Sequence, residues 1–189
     1  MTVAIALDTS SRRTGYIRGK IDGSGPLKID SFGVVREDKN DIGAGMVEFR
    51  EALIPRLTGV DIIFMEKPAL PFGKLNYNTL RILYGIAGMV EVIAKDMDIP
   101  CFDVDNGKHK KLIYGKGGPK PSNPEELAGA WGFNPTNDDE ADACGVFLYS
   151  IQQFYPKEFR YWQNIKMNSR PVFFIPQKKK TKAKSKKSK

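Results

Sequence analysis

The sequence predicts an α/β fold: a mixed five-stranded sheet flanked by helices, with a C-terminal extension. Three observations carry that prediction. Five short apolar runs lie between residues 3 and 104. The first three are joined by connections too short to hold a helix, as in an antiparallel meander. Segments of helical period precede the fourth and the fifth, as parallel crossovers require. The expected organisation is one domain over residues 1–154, an aromatic extension over 155–177 packed on the core, and a disordered lysine-rich tail over 178–189.

Each element has its own signal. "VAIALD" (3–8) is a continuous apolar run ending in an acid, the pattern of a buried strand. "TGYIRGKI" and "LKIDSFGVV" are the next two strands, separated by the turn residues "DGSGP". In "GMVEFREALIPRL", Met46, Phe49, Leu53, Ile54 and Leu57 fall at helical spacing, and Pro55 is expected to kink or end the helix. "VDIIFMEKP" is a fourth strand, again closed by an acid, Glu66. "NTLRILYGIAGMVEVIAKDM" is a long helix whose Gly85, Ala87 and Gly88 permit close packing, and "IPCFDV" is the fifth strand. The basic segment "NGKHKKLIYGKGGPKPSN" starts helical. "PEELAGAWGF" is a short helix and "DDEADACGVFLYSIQQF" the last helix of the core. Aromatic residues between Tyr155 and Phe174 are expected to pack back on the body.

Composition narrows the function. The eight lysines of the last twelve residues account for the whole net charge of +8, which leaves 22 basic and 22 acidic residues in the body. A neutral body with a basic tail suits a polyanion, because lysines release counterions from phosphate without reading sequence. Two cysteines, Cys101 and Cys144, give neither a disulfide framework nor zinc spacing. The apolar runs are far shorter than the roughly 18 residues of a membrane span, and the N-terminus lacks the order of a signal peptide. A reducing cytoplasm, that of a bacterium or a phage-infected cell, is the expectation.

The acids raise the sharper question. Four of the five residues from Asp138 to Asp142 are acidic, directly before an apolar helix. Asp139 and Asp142 share a helix face, as do Asp138 and Asp142, while Glu140 points elsewhere. A helix dipole accounts for Asp138 and Asp139, at about 0.3–1 kcal/mol each. It does not account for Asp142, a turn further in. A divalent cation accounts for all of them, and for the strand-end acids Asp8 and Glu66 if these meet over one edge of the sheet. Mg²⁺ prefers carboxylate oxygen and water.

Four segments together resemble a known family. "LDTSSRRTGY", "FMEKP", "KKLIYGKGGPK" and "DDEADACGVFLY" are similar, in order and spacing, to motifs of RuvC-type Holliday junction resolvases, over about residues 3–150. The resemblance implies a ribonuclease H-like fold and a crossover junction endodeoxyribonuclease, a phosphodiester hydrolase. It implies Asp8, Glu66, Asp139 and Asp142 as catalytic ligands of two Mg²⁺ ions per site, with Mn²⁺ able to substitute. Lys110 and Lys120 fall where the family keeps lysines near the scissile phosphate. The chain departs from the family in two places. Asp8-Thr9-Ser10 stands where Asp-Pro-Gly is usual, and "KPALPFGKLN" has no position matching the family's aromatic wedge. Phe72 is the candidate wedge.

The expected partners are branched DNA, chiefly four-way junctions, and a second copy of the chain. DNA contacts are expected from Phe72, Lys74, Lys108, Lys110, Lys111, Lys116 and Lys120. The homodimer would use the helix over 79–96. His109, the single histidine, is read as a surface residue among lysines. A nuclease acting on flaps, forks or RNA, and a DNA-architectural protein without catalysis, are the alternatives. An actin-like ATPase is disfavoured because no second phosphate loop follows.

Overall fold

A computed structural model of the 189-residue chain describes residues 2–10, 12–22, 24–33, 41–68, 77–115 and 121–168. Strand β1 (Val3–Asp8) is flanked by β2 (Arg13–Lys20) on one side and β4 (Ile62–Glu66) on the other; β3 (Pro26–Gly33) and β5 (Cys101–Val104) complete the sheet. The order is β3-β2-β1-β4-β5. β1–β2 and β2–β3 are antiparallel, and β1–β4 and β4–β5 are parallel. This is the expected mixed sheet, with the two acid-terminated strands adjacent at its centre.

The strand period of two sorts each strand onto two cores. Ala4, Ala6, Ile62 and Phe64 face one side, with Val104 and the residues of four helices: α3 (Asn106–Tyr114), α4 (Pro124–Gly129), α5 (Asp138–Phe154) and α6 (Pro156–Asn168). Ile5, Leu7, Ile63 and Met65 face the other side, beneath α1 (Ile42–Leu53) and α2 (Tyr77–Asp96). Continuing the alternation by one residue puts Asp8 and Glu66 on the α3–α6 side.

Local chemistry fixes the helix ends. Asp41 caps α1 by accepting a hydrogen bond from the Ala44 amide at 2.8 Å. At Ile54–Leu57 the chain tightens into a 3₁₀ turn, because Pro55 has no amide to continue the ladder. Asn137 caps α5, its side chain accepting from the Glu140 amide at 3.1 Å.

Helix α6 carries part of the aromatic extension onto the body. Trp162 is fully buried and stacks on Phe133 with ring centroids 4.8 Å apart. Phe159 is buried against Trp131. Burying one such aromatic contributes roughly 1.5–3 kcal/mol, which ties the helix down. Phe173, Phe174 and the lysine-rich segment 178–189 lie outside the described residues.

Candidate active site

The site begins with two parallel strands that stop together. β1 and β4 are in register through Leu7↔Met65, and the next step along each brings Asp8 beside Glu66. Both are nearly buried, at 7% and 6% exposure, and their carboxyl groups share a hydrogen bond. They sit at the carboxyl ends of central strands, where open α/β sheets place their ligands.

Helix α5 brings the third acid. The Asp8 position pairs with Gly15 on β2. A Cβ at Gly15 would lie 2.1 Å from the Asp139 carbonyl oxygen and 2.9 Å from the Glu140 nitrogen. Glycine is required there because the first turn of α5 rests on the strand backbone. That contact carries Asp142, one turn further in and 4% exposed, to the Asp8–Glu66 pair.

Helix α3 closes the site. Lys110 Nζ lies 3.4 Å from Glu66 Oε1 and 3.8 Å from Asp142 Oδ2. Tyr114, four residues on and so on the same face, donates its hydroxyl to Asp142 Oδ1 at 2.5 Å. His109 corrects the sequence reading: it is fully buried, not at the surface. Its Nδ1 lies 3.3 Å from the Asp105 carbonyl oxygen and its Nε2 3.9 Å from Glu66 Oε1. The lysines on either side mislead, because a helix turns consecutive residues by about 100°. Gly145 on α5 makes the room, since a Cβ there would meet His109 Cδ2 at 3.0 Å.

Electrostatics follow from this crowding. Burial, reinforced by Glu66 and Asp142, holds the Asp8 carboxyl well above the usual range. Burial pushes Glu66 the same way, but the hydrogen bond from Asp8 and the charges of Lys110 and His109 overcome it, and Glu66 titrates below its ordinary value. Burial lowers the pKa of His109 despite Glu66. Burial would lower that of Lys110 too, but Glu66, Asp142 and Asp8 raise it. Burial and then Asp142 push the Tyr114 hydroxyl upward, so it stays a donor. Two like charges about 4 Å apart at a protein surface repel by about 4 kcal/mol, several times what a helix dipole returns. The hydrogen bond between Asp8 and Glu66 and the Lys110 ammonium are what hold these carboxyls together.

The other expected residues are distributed differently. Asp139 faces outward and is bound by the Arg13 Nε, while Arg13 Nη2 lies 3.5 Å from Asp138 Oδ1. Glu140 turns away from the site. Lys108 and Lys111 are exposed on α3. Phe72, Lys74, Lys116 and Lys120 lie outside the described residues. Among the described residues, no three acidic, histidine or cysteine side chains close on one point as they stand. Sequence reasoning missed Arg13 and Tyr114. The helical spacing of Tyr114 from Lys110 was the available signal for one, whereas nothing local marks Arg13 as the partner of a residue 126 positions away.

The five-stranded mixed sheet, with acids at the ends of its two central strands and a closing helix over them, defines a ribonuclease H-like fold of the RuvC type. Solved structures that share it include two of Thermus thermophilus RuvC. Thermus thermophilus RuvC in complex with a Holliday junction substrate gives a TM-score of 0.62 at 13% identity, covering 91% of this chain and 100% of that one. A second Thermus thermophilus RuvC structure gives 0.59 at 14% identity, covering 90% and 100%. No protein-family model matches the chain, and no curated protein does. Among the described residues, no helix is long and apolar enough to cross a membrane.

Proposed function

We propose that the chain is a metal-dependent, structure-selective endonuclease that resolves four-way DNA junctions by paired nicks. The observation that supports this reading is that Lys110 Nζ lies 3.4 Å from Glu66 Oε1 and 3.8 Å from Asp142 Oδ2, with Asp8 hydrogen-bonded to Glu66. The donor set suits a hard divalent cation: it is all carboxylate oxygen, two of its members end adjacent parallel strands, and a positive charge already bridges two of them. Asp8, Glu66 and Asp142 would hold the metal, and Asp139 would join them on leaving Arg13. Mg²⁺ bound there would supply activation of water and stabilisation of the departing oxygen.

The remaining roles belong to the chain's own side chains. Lys110 reaches both Glu66 and Asp142 and would neutralise charge on a phosphate that approaches them. Tyr114 fixes the Asp142 carboxylate through Oδ1 and leaves Oδ2 turned to Lys110. Asp105, His109 and Gly145 hold α3 close to α5. Lys108 and Lys111, exposed on the same helix, would position backbone phosphates without specifying sequence.

A junction of near two-fold symmetry calls for two sites, which a symmetric homodimer would supply. The outer face of α2 favours it: Tyr77, Tyr84 and Val92 are 71%, 48% and 57% exposed, and a Cβ at Gly88 would meet nothing. Sedimentation should give twice the chain mass, and Tyr84→Glu should reduce it to one.

The decisive assay is cleavage of a synthetic four-way junction, a fork and a plain duplex in Mg²⁺. Symmetric nicks in the junction alone are expected, abolished in Asp8→Asn. Equal cutting of junction and fork with the duplex spared would replace junction resolution with a broad branched-DNA activity, equal cutting of all three would overturn structure selectivity, and cleavage surviving in Asp8→Asn would remove Asp8 from the site.

A further inference from the structure

The body is neutral overall, yet one cleft in it carries a single sign of charge. A cleft of about 530 Å³ between Trp131 and α6 is lined by Arg160 and Lys166. It adjoins one of about 440 Å³ lined by Lys108, Lys111 and Tyr149, and the two share Trp131 and Lys166. Four basic side chains and no acid line them. By contrast, a cleft of similar size, about 520 Å³ at the end of α2, mixes Lys95 with Glu91 and Asp98.

Lys166 is the informative residue. Its Nζ stands 4.1 Å from the centroid of the Trp131 ring, and Trp131 is itself almost fully buried. The ring is a fixed wall that pre-places the ammonium by cation–π attraction. Burial alone lowers the Lys166 pKa, and no carboxylate among the described residues pairs with it. Lys166 is itself exposed, so its ammonium stands open to an anionic ligand that enters the cleft. Helix α3 borders both the cleft and the carboxylate site: it turns Lys110 to the acids and Lys108 and Lys111 to the cleft. Lys108 pairs with exposed Asp105 at 3.2 Å, a surface pair that a phosphate can replace.

We infer that Lys108, Lys111, Arg160 and Lys166, braced by Trp131, form a track for the phosphodiester backbone of a DNA arm leading away from the carboxylate site. This deepens the nucleic-acid reading above and rests on it. It gives α6 a task, and α6 is followed in sequence by the lysine-rich segment 178–189.

The test is binding of a labelled four-way junction to the full chain in chelator, where no cleavage occurs, across a salt series. Arg160→Gln with Lys166→Gln should make the slope of log affinity against log salt shallower by about two and weaken binding about tenfold. Arg160→Lys with Lys166→Arg should restore both, which a purely structural role for α6 would not require. A control of equal charge change, Lys20→Gln with Lys95→Gln, should leave the slope near wild type. An unchanged slope in the first variant, an equal fall in the control, or no restoration by the conservative pair would overturn the track. Failure of the nuclease reading appears separately, as wild type that binds junctions but does not cut them in Mg²⁺.

Discussion

Two sets of buried carboxyl groups lie at the start of α5, barely a turn apart, and their surroundings differ in kind. Glu140, 3% exposed, is surrounded by neutral donors. It accepts from the Thr136 amide at 2.7 Å, the Asn137 side-chain amide at 2.5 Å and the Ser31 hydroxyl at 3.2 Å. Every one of these contacts ties a helix start to the preceding loop or to β3, as in a capping box. Asp142 points the other way, toward Asp8 and Glu66, and meets a tyrosine hydroxyl, an ammonium and two more acids. A carboxylate satisfied by neutral donors is a structural fastener. Carboxyls that face one another, held by a shared hydrogen bond and one lysine ammonium, form a site suited to positive charge.

That contrast can be broken from either side. The largest effect is expected from Glu66→Gln: junction cleavage should fall at least about a hundredfold, the scale of losing one electrostatic stabiliser. Its melting temperature should fall modestly, because the lowered pKa of Glu66 means that the ionised carboxylate gains more from Asp8 and Lys110 than it loses to burial. Glu140→Ala should do the opposite. It strands several donors at once, so about 2–4 kcal/mol of stability should be lost, read by denaturant unfolding, while the folded fraction cuts within about tenfold of wild type. If Glu140→Ala abolished cleavage at full stability, the two sets would have exchanged roles.

Smaller changes sharpen the picture. Tyr114→Phe should cost about 1–2 kcal/mol, since one bond to a buried carboxylate is removed. Its measurable signature is a raised metal requirement for cleavage. Asp8 supplies a pH test in metal-free protein. Its folded pKa is raised, so its contribution to stability is fully present below the unfolded carboxylate value and is lost as pH rises through the folded one. Unfolding midpoints should therefore fall with rising pH across that window, and Asp8→Asn should flatten this component. Arg13→Ala should change stability least, by about 0–1 kcal/mol, because the guanidinium is exposed. It releases Asp139. If Asp139 joins the site, the variant should bind metal no more weakly than wild type, and Asp139→Asn should lower cleavage.

Much of this was legible in the chain itself. "VAIALD" and "IIFME" announced buried central strands that end in acids, and the meander followed from turns too short for a helix. Spacing puts both Asp138 and Asp139 on a face with Asp142, the choice of Asp139 is what the family resemblance implies, and neither signal reveals Arg13. On a helix of 3.6 residues per turn Asp139 and Asp142 share a broad face, but Asp139 stands at the rim, where a cation from β2 reaches it first. His109 failed as a surface residue for a related reason. Its neighbours in sequence are lysines, whereas its neighbours in space are Glu66, Gly145 and Ile113.

Sequence by itself determined the five strands, the helices up to α5, their order and the acids at the strand ends, because hydrophobic period and turn chemistry act over a few residues, whereas α6 was legible only as an aromatic extension. Tertiary structure alone decided which acids meet, that Gly15 must be bare for α5 to settle on β2, and that the cleft along α3 and α6 carries one sign of charge. Those outcomes depend on the packing of segments far apart in the chain, and no local pattern encodes the partner across the gap.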